Sequence, residues 1–175
     1  MEFIGASIKG IYRDILKGPG DRIIEDRGWA SNTIVTRCRV LLAGFMKNEP
    51  SDGIQYMAVG QGLAAWDSTG APAPDPTTTD LVNRFTPTIP VANLTLVYLD
   101  DADHEVVGPT NRLQITTTLA PGYPTPLAPL TTYPLREFGL FGRFGPNDFL
   151  INCIRHPVIL KDASTTLIRI VRLYF

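Results

Sequence analysis

Arg136 and Glu137 stand side by side in Leu135–Gly142, LREFGLFG, within an otherwise apolar and aromatic run. Opposite charges at adjacent positions suit acid–base chemistry only if they converge on one reacting group. On a strand they diverge. Leu135, Glu137 and Gly139 face one way, and Arg136, Phe138, Leu140 and Gly142 the other. A buried charge without a partner is costly. The two therefore read as a structural pair with separate partners: a cross-strand acid for Arg136, and a backbone amide or an arginine such as Arg155 or Arg169 for Glu137. Gly139 and Gly142 permit a bulge or the close approach of another backbone.

The remaining reactive residue types do not form a recognisable constellation. His104 and His156 are the only histidines. No GxSxG elbow accompanies them, so the sequence predicts no catalytic residues. Asp100-Asp101-Ala102-Asp103-His104-Glu105 has the carboxylate density that calcium favours, but lacks the glycine and terminal glutamate of an EF-hand loop. A solvated hairpin turn accounts for it better. Cys38 and Cys153 have no close ligand spacing, which argues against zinc. With no export signal they read as free, buried thiols of a reducing compartment. Gly60-Gln61-Gly62 lacks the third glycine of a dinucleotide loop and the Gly-Lys-Ser/Thr of a P-loop. The sequence thus predicts no cofactor and no metal. Arg136, Arg143, Arg155, Arg169 and Arg172 lie on separate predicted strands. A net charge of −1 gives no electrostatic reason to expect nucleic acid or an anionic membrane. No apolar run reaches the ~18 residues of a membrane-spanning helix.

The elements that must position these residues follow from periodicity. The chain has 175 residues, 44% of them hydrophobic, which fits one domain or one domain plus an arm. Its 15 glycines and 15 prolines cluster between apolar runs, as in folds of many short strands. Ile4, Ile8, Ile11, Ile15 and Leu16 recur at helical spacing before Gly18-Pro19-Gly20. Residues 1–28 are thus expected to be a partly helical N-terminal piece, either a short packed helix or an arm laid on a neighbouring subunit. Ser31-Asn32 offers capping oxygens to a helix over about 32–47, with Ile34, Cys38, Leu41, Leu42 and Phe45 on one face. Residues 54–59 read as a strand, residues 94–108 as a hairpin with an acidic turn, and residues 112–119, 135–142, 149–156 and 166–175 as further strands. Residues 68–80 and 120–134 are too rich in proline and threonine for helix or central strand and are expected to be extended loops or straps. The expected fold is mainly β (α+β): an antiparallel β-sandwich-like domain over 29–175, with one covering helix.

These segments, in this order, resemble a family of structural proteins from phage tails and phage-tail-like contractile injection systems. The resemblance covers roughly residues 29–175. It rests on SNTIVTRCRVLLAGFM, on GIQYMAVGQG followed by Trp66-Asp67 and the Pro/Thr stretch, on LREFGLFG, and on RHPVILKDASTTLIRIVRLYF. It implies a repeated particle subunit without catalytic residues: a baseplate-associated, cage or cap-adaptor component. It also implies assembly in the bacterial cytoplasm, and then residence in a virion or injection-system particle. The partners implied are other copies of the chain in a ring and sheath, tube, cap or baseplate proteins, with no nucleic acid and no direct membrane insertion. Candidate subunit-interface residues are Ile4, Ile8, Ile11, Ile15, Trp29, Trp66, Tyr123 and Tyr133. The alternative is a receptor- or carbohydrate-binding module of a fibre, in which Trp29, Trp66, Tyr123 and Tyr133 stack on sugars.

Overall fold

The computed structural model describes residues 7–124 and 132–175. Lys9–Lys17 forms β1, Ile23–Ser31 β2, Thr33–Ile34 β3 and Thr36–Met46 the helix α1. Ser51–Gly60 is β4, Trp66–Thr69 the single-turn α2, Ile89–Pro90 β5, Thr95–Leu99 β6 and Glu105–Val106 β7. Arg112–Leu119 is β8, Thr132–Phe144 β9, Asn147–Asp162 β10 and Thr166–Tyr174 β11. The strands make two antiparallel sheets, ordered β2-β1-β11-β8-β6-β7 and β3-β10-β9-β4-β5. The chain is thus mainly β and sandwich-like, as its strand-rich second half predicts. No helix of the described residues is long and apolar enough to cross a membrane.

The main core lies between the sheets. Tyr12, Leu16, Ile115, Leu119, Leu167 and Val171 meet Met57, Val59, Phe138, Leu140 and Ile154 there. A second cluster of Val35, Ala58, Leu81, Phe141, Leu150 and Cys153 packs separately. Neighbouring residues of β4 and β9 fall in different clusters, so both faces of the five-stranded sheet are covered. This explains LREFGLFG: β9 lies between β10 and β4 and is buried continuously from Leu135 to Gly142. A strand covered on both faces reads as an unbroken apolar run.

Over Lys9–Lys17 the helical expectation is wrong. Lys9–Lys17 is an inner strand, paired with β11 from Lys9↔Tyr174 to Lys17↔Thr166 and with β2 on its other side. Gly10, Tyr12, Asp14 and Leu16 point into the core, while Ile11, Arg13 and Ile15 face outward and are half-buried. One of the inward positions is an aspartate, which broke the apolar alternation in the sequence. The outward Ile11 and Ile15 then imitated a helical stripe together with Ile4 and Ile8. Ile4 lies outside the described residues.

α1 starts later than its capping signal. Ser31 ends β2, Thr33–Ile34 pairs with Asn152–Cys153 as β3, and Val35 is the N-cap, with no side-chain hydrogen bond. Tertiary pairing has taken Ser31 and Asn32 away from the helix. At the other end Lys47 closes α1 as expected, and Asn48 takes the left-handed conformation (φ 59°). The strap expected over 120–134 ends early, since Thr132–Pro134 already belongs to β9; its middle lies outside the described residues.

Candidate functional site

Three ionisable side chains from three strands meet inside the core. Arg169 on β11, Asp14 on β1 and His156 on β10 are 0%, 1% and 2% exposed. The strand register sets Asp14 opposite Arg169. Arg169 Nε donates to Asp14 Oδ1 at 2.7 Å, and Nη2 to Oδ2 at 2.8 Å. Nη2 also lies 2.9 Å from His156 Nε2, and His156 Nδ1 lies 2.8 Å from the Pro157 carbonyl. A guanidinium has only protons to give, so Nε2 must be the acceptor and Nδ1 carries the imidazole proton. The guanidinium carbon stands 3.6 Å from the Phe138 ring centroid, and Tyr12 meets that ring edge-on at 5.5 Å.

Burial and the neighbouring Arg169 charge hold the His156 imidazole neutral, with a pKa of about 3. Burial alone would raise Asp14, but the charge and hydrogen bonds of Arg169 outweigh it and keep the carboxyl below its ordinary range. Both imidazole nitrogens and both carboxylate oxygens are engaged. The cluster braces β1, β11 and β10 against one another, and Arg169 Nη1 is the guanidinium nitrogen left without a partner among the described residues. His156 reaches it because β10 bulges: between Arg155↔Glu137 and Ile159↔Leu135, residues 156–158 face Arg136 alone.

Arg136 and Glu137 are brought to different partners, as alternation requires. Arg136 pairs with Asp67, Nε to Oδ1 at 2.8 Å and Nη2 to Oδ2 at 2.6 Å, and Nη1 donates to the Gln61 carbonyl at 2.9 Å. The expected cross-strand acid is therefore corrected: Asp67 sits on α2, which this arginine ties to the sheet. Glu137 is fully buried and accepts the backbone amides of Val82 (3.0 Å) and Asn83 (2.7 Å). Of the partners considered for it, the backbone amide holds. Arg155 donates to the Pro72 carbonyl and stacks over Trp66, and Arg169 belongs to Asp14.

The other singled-out residues are scattered. Trp66 is 9% exposed and Tyr133 1%; both are core side chains and leave the set of surface anchors. Tyr123 is half-buried and donates its hydroxyl to the Pro87 carbonyl. Trp29 remains exposed on β2, with Arg172 over its ring at 4.3 Å. Ile8 packs against the main core. The described residues thus offer no continuous aromatic platform. In the acidic turn, Asp100 accepts the amides of Ala102 and His104, and Asp103 pairs with Arg112 and Arg172. No group of three metal-ligating side chains occurs among the described residues. Cys38 and Cys153 are free and buried, and burial pushes both thiols up to about 11.

Sequence reasoning missed an apolar groove of ≈ 590 Å³ where α1 overhangs the open end of the sandwich. Cys38, Leu41, Leu42 and Phe45 form one wall, and Leu96, Tyr98, Leu113, Leu173 and Phe175 the other. Gly53 and Ile54 of β4 close its floor, with Asp52 its only charged lining residue. The signal was present in α1: Phe45 and Met46 follow Leu41-Leu42 on a helix whose buried face needs only Cys38, Leu41 and Gly44. Comparison with known protein families, curated proteins and solved structures finds no match.

Proposed function

We propose that the chain is a non-catalytic structural subunit of a contractile phage-tail-like particle, a baseplate, cage or cap-adaptor component that joins neighbouring subunits. One observation carries this reading: the buried charged residues of the Arg169 and Arg136–Glu137 groups find partners within the fold, while apolar side chains stand exposed around an open groove. Arg169, Asp14, His156, Arg136 and Glu137 are all engaged inside the fold. Phe45 and Met46, by contrast, are 67% and 79% exposed. Exposed apolar surface of this kind beside an open groove suits assembly with another protein surface. The ordered arrangement of SNTIVTRCRVLLAGFM, GIQYMAVGQG and LREFGLFG, through its resemblance to tail-type subunits, supplies the particle.

The experiment is sedimentation of a native lysate, with mass spectrometry of the pellet and imaging of particles labelled by an antibody to this chain. Labelling at one end of tail-like particles is the expected result. Recovery of the chain only as a small soluble species overturns the reading.

A further inference from the structure

We infer that the groove face is a two-fold contact with a second copy of this chain, in which Phe45 of each copy enters the groove of the other. This deepens the assembly reading by naming a partner, and rests on it.

The face carries both halves of a self-complementary contact. Its hole is the ≈ 590 Å³ groove. Its knob is the C-terminal end of α1, where Phe45 lines the groove and also projects from its rim. Leu42 and Leu96 extend the apolar surface on either wall. A knob beside its own hole is the arrangement a two-fold axis satisfies, since each copy gives and receives the same contact. Exposed phenylalanine and methionine on such a face match the residue types enriched in interfaces.

Charge fixes the direction. Arg39, Leu42 and Met46 fall at i, i+3 and i+7 on one stripe of α1, so Arg39 marks the stripe's N-terminal end. Asp52 lies beyond the helix C-terminus, on the groove lining. Both are exposed, and neither has an ion-pair partner among the described residues. The nearby cations Lys47 and Arg143 are taken by Glu49 and Asp148. Each copy therefore offers an unpaired cation at one end of its apolar face and an unpaired anion at the other. Antiparallel docking of two α1 helices sets Arg39 of each copy against Asp52 of the other, and parallel docking would set like charges together.

The test is sedimentation equilibrium of the purified full chain from low to high micromolar concentration. A reversible dimer is expected, and Phe45→Glu, at an exposed position, should leave a folded monomer whose cooperative thermal unfolding no longer depends on concentration. Arg39→Asp and Asp52→Arg should each weaken the dimer about tenfold or more, and the double variant should restore it. Restoration is a readout that a general loss of stability cannot give. A wild-type monomer throughout the range overturns the inference, as does a double variant weaker than either single one. A monomer that takes an apolar dye into the groove overturns it too, in favour of a small-molecule site. The assay uses no particle, so a dimer recovered from a chain that never pellets with particles separates this contact from the assembly reading.

Discussion

Asp14 and Arg169 face each other across β1 and β11 and meet through two hydrogen bonds inside the sandwich. Each residue makes the other tolerable there, because an ion stripped of water needs a counter-ion and hydrogen-bond partners. Asp14→Ala leaves a buried guanidinium with His156 alone, and is expected to cost about 3–5 kcal/mol in denaturant unfolding. Asp14→Leu combined with Arg169→Met removes both charges and should cost much less than the two single changes added. Additive costs would mean that the pair does not act as a unit.

The same cluster predicts acid sensitivity. His156 has an ordinary pKa of 6.5 and is held near 3 in the fold. Between those values the unfolded chain binds a proton that the folded chain excludes, so stability falls as pH falls. This contribution is fully present above about pH 6.5 and lost toward pH 3. Asp14, held below 3.8, has the same sign and acts lower, being lost as pH drops through its folded value. The His156 slope can reach about 1.4 kcal/mol per pH unit. Unfolding midpoints measured from pH 7 down to pH 4 should show it, and His156→Gln should flatten it. An unchanged slope in that variant would assign the effect elsewhere.

Glu137 anchors a loop rather than a reaction. Its two oxygens accept the amides of Val82 and Asn83. Glu137→Gln turns one acceptor into a donor facing an N–H, and is expected to cost about 1–3 kcal/mol. Hydrogen exchange at those two amides should accelerate while the amides of β8 keep their protection. Uniform acceleration would indicate global destabilisation instead.

What was legible in the sequence followed from unbroken patterns. Leu113, Ile115, Thr117 and Leu119 alternate cleanly and form β8, and the acidic turn sits between β6 and β7 as its composition implies. β1 was hidden because its core-facing residues include Asp14, whose partner lies 155 positions away. Periodicity cannot anticipate a charge neutralised by so distant a strand. The same distance hid the Arg169 cluster, although Arg169 shares the buried face of β11 with Leu167, Val171 and Leu173. The groove was hidden for another reason: it exists only where α1 overhangs the end of the six-stranded sheet, and no single segment encodes that.

Gly139 tests how tightly β9 and β10 are fitted. A Cβ at this position would lie 2.6 Å from the Asn152 carbonyl oxygen and 2.7 Å from Leu150 Cδ1. The first is backbone and cannot swing aside. It is also next to a ladder irregularity, between Leu150 and Asn152, where the Asn152 side chain accepts the Leu140 amide at 2.8 Å. Gly139→Ala therefore has to push two central strands apart, and is expected to cost about 1–3 kcal/mol. Gly53→Ala is the matched control, since a Cβ there meets nothing within 4 Å. It should leave thermal unfolding unchanged or raise it slightly, because alanine restricts the unfolded chain. Equal losses in both variants would mean that glycine is needed in these strands for its backbone freedom, and that the close approach of Asn152 is not what excludes a side chain at 139.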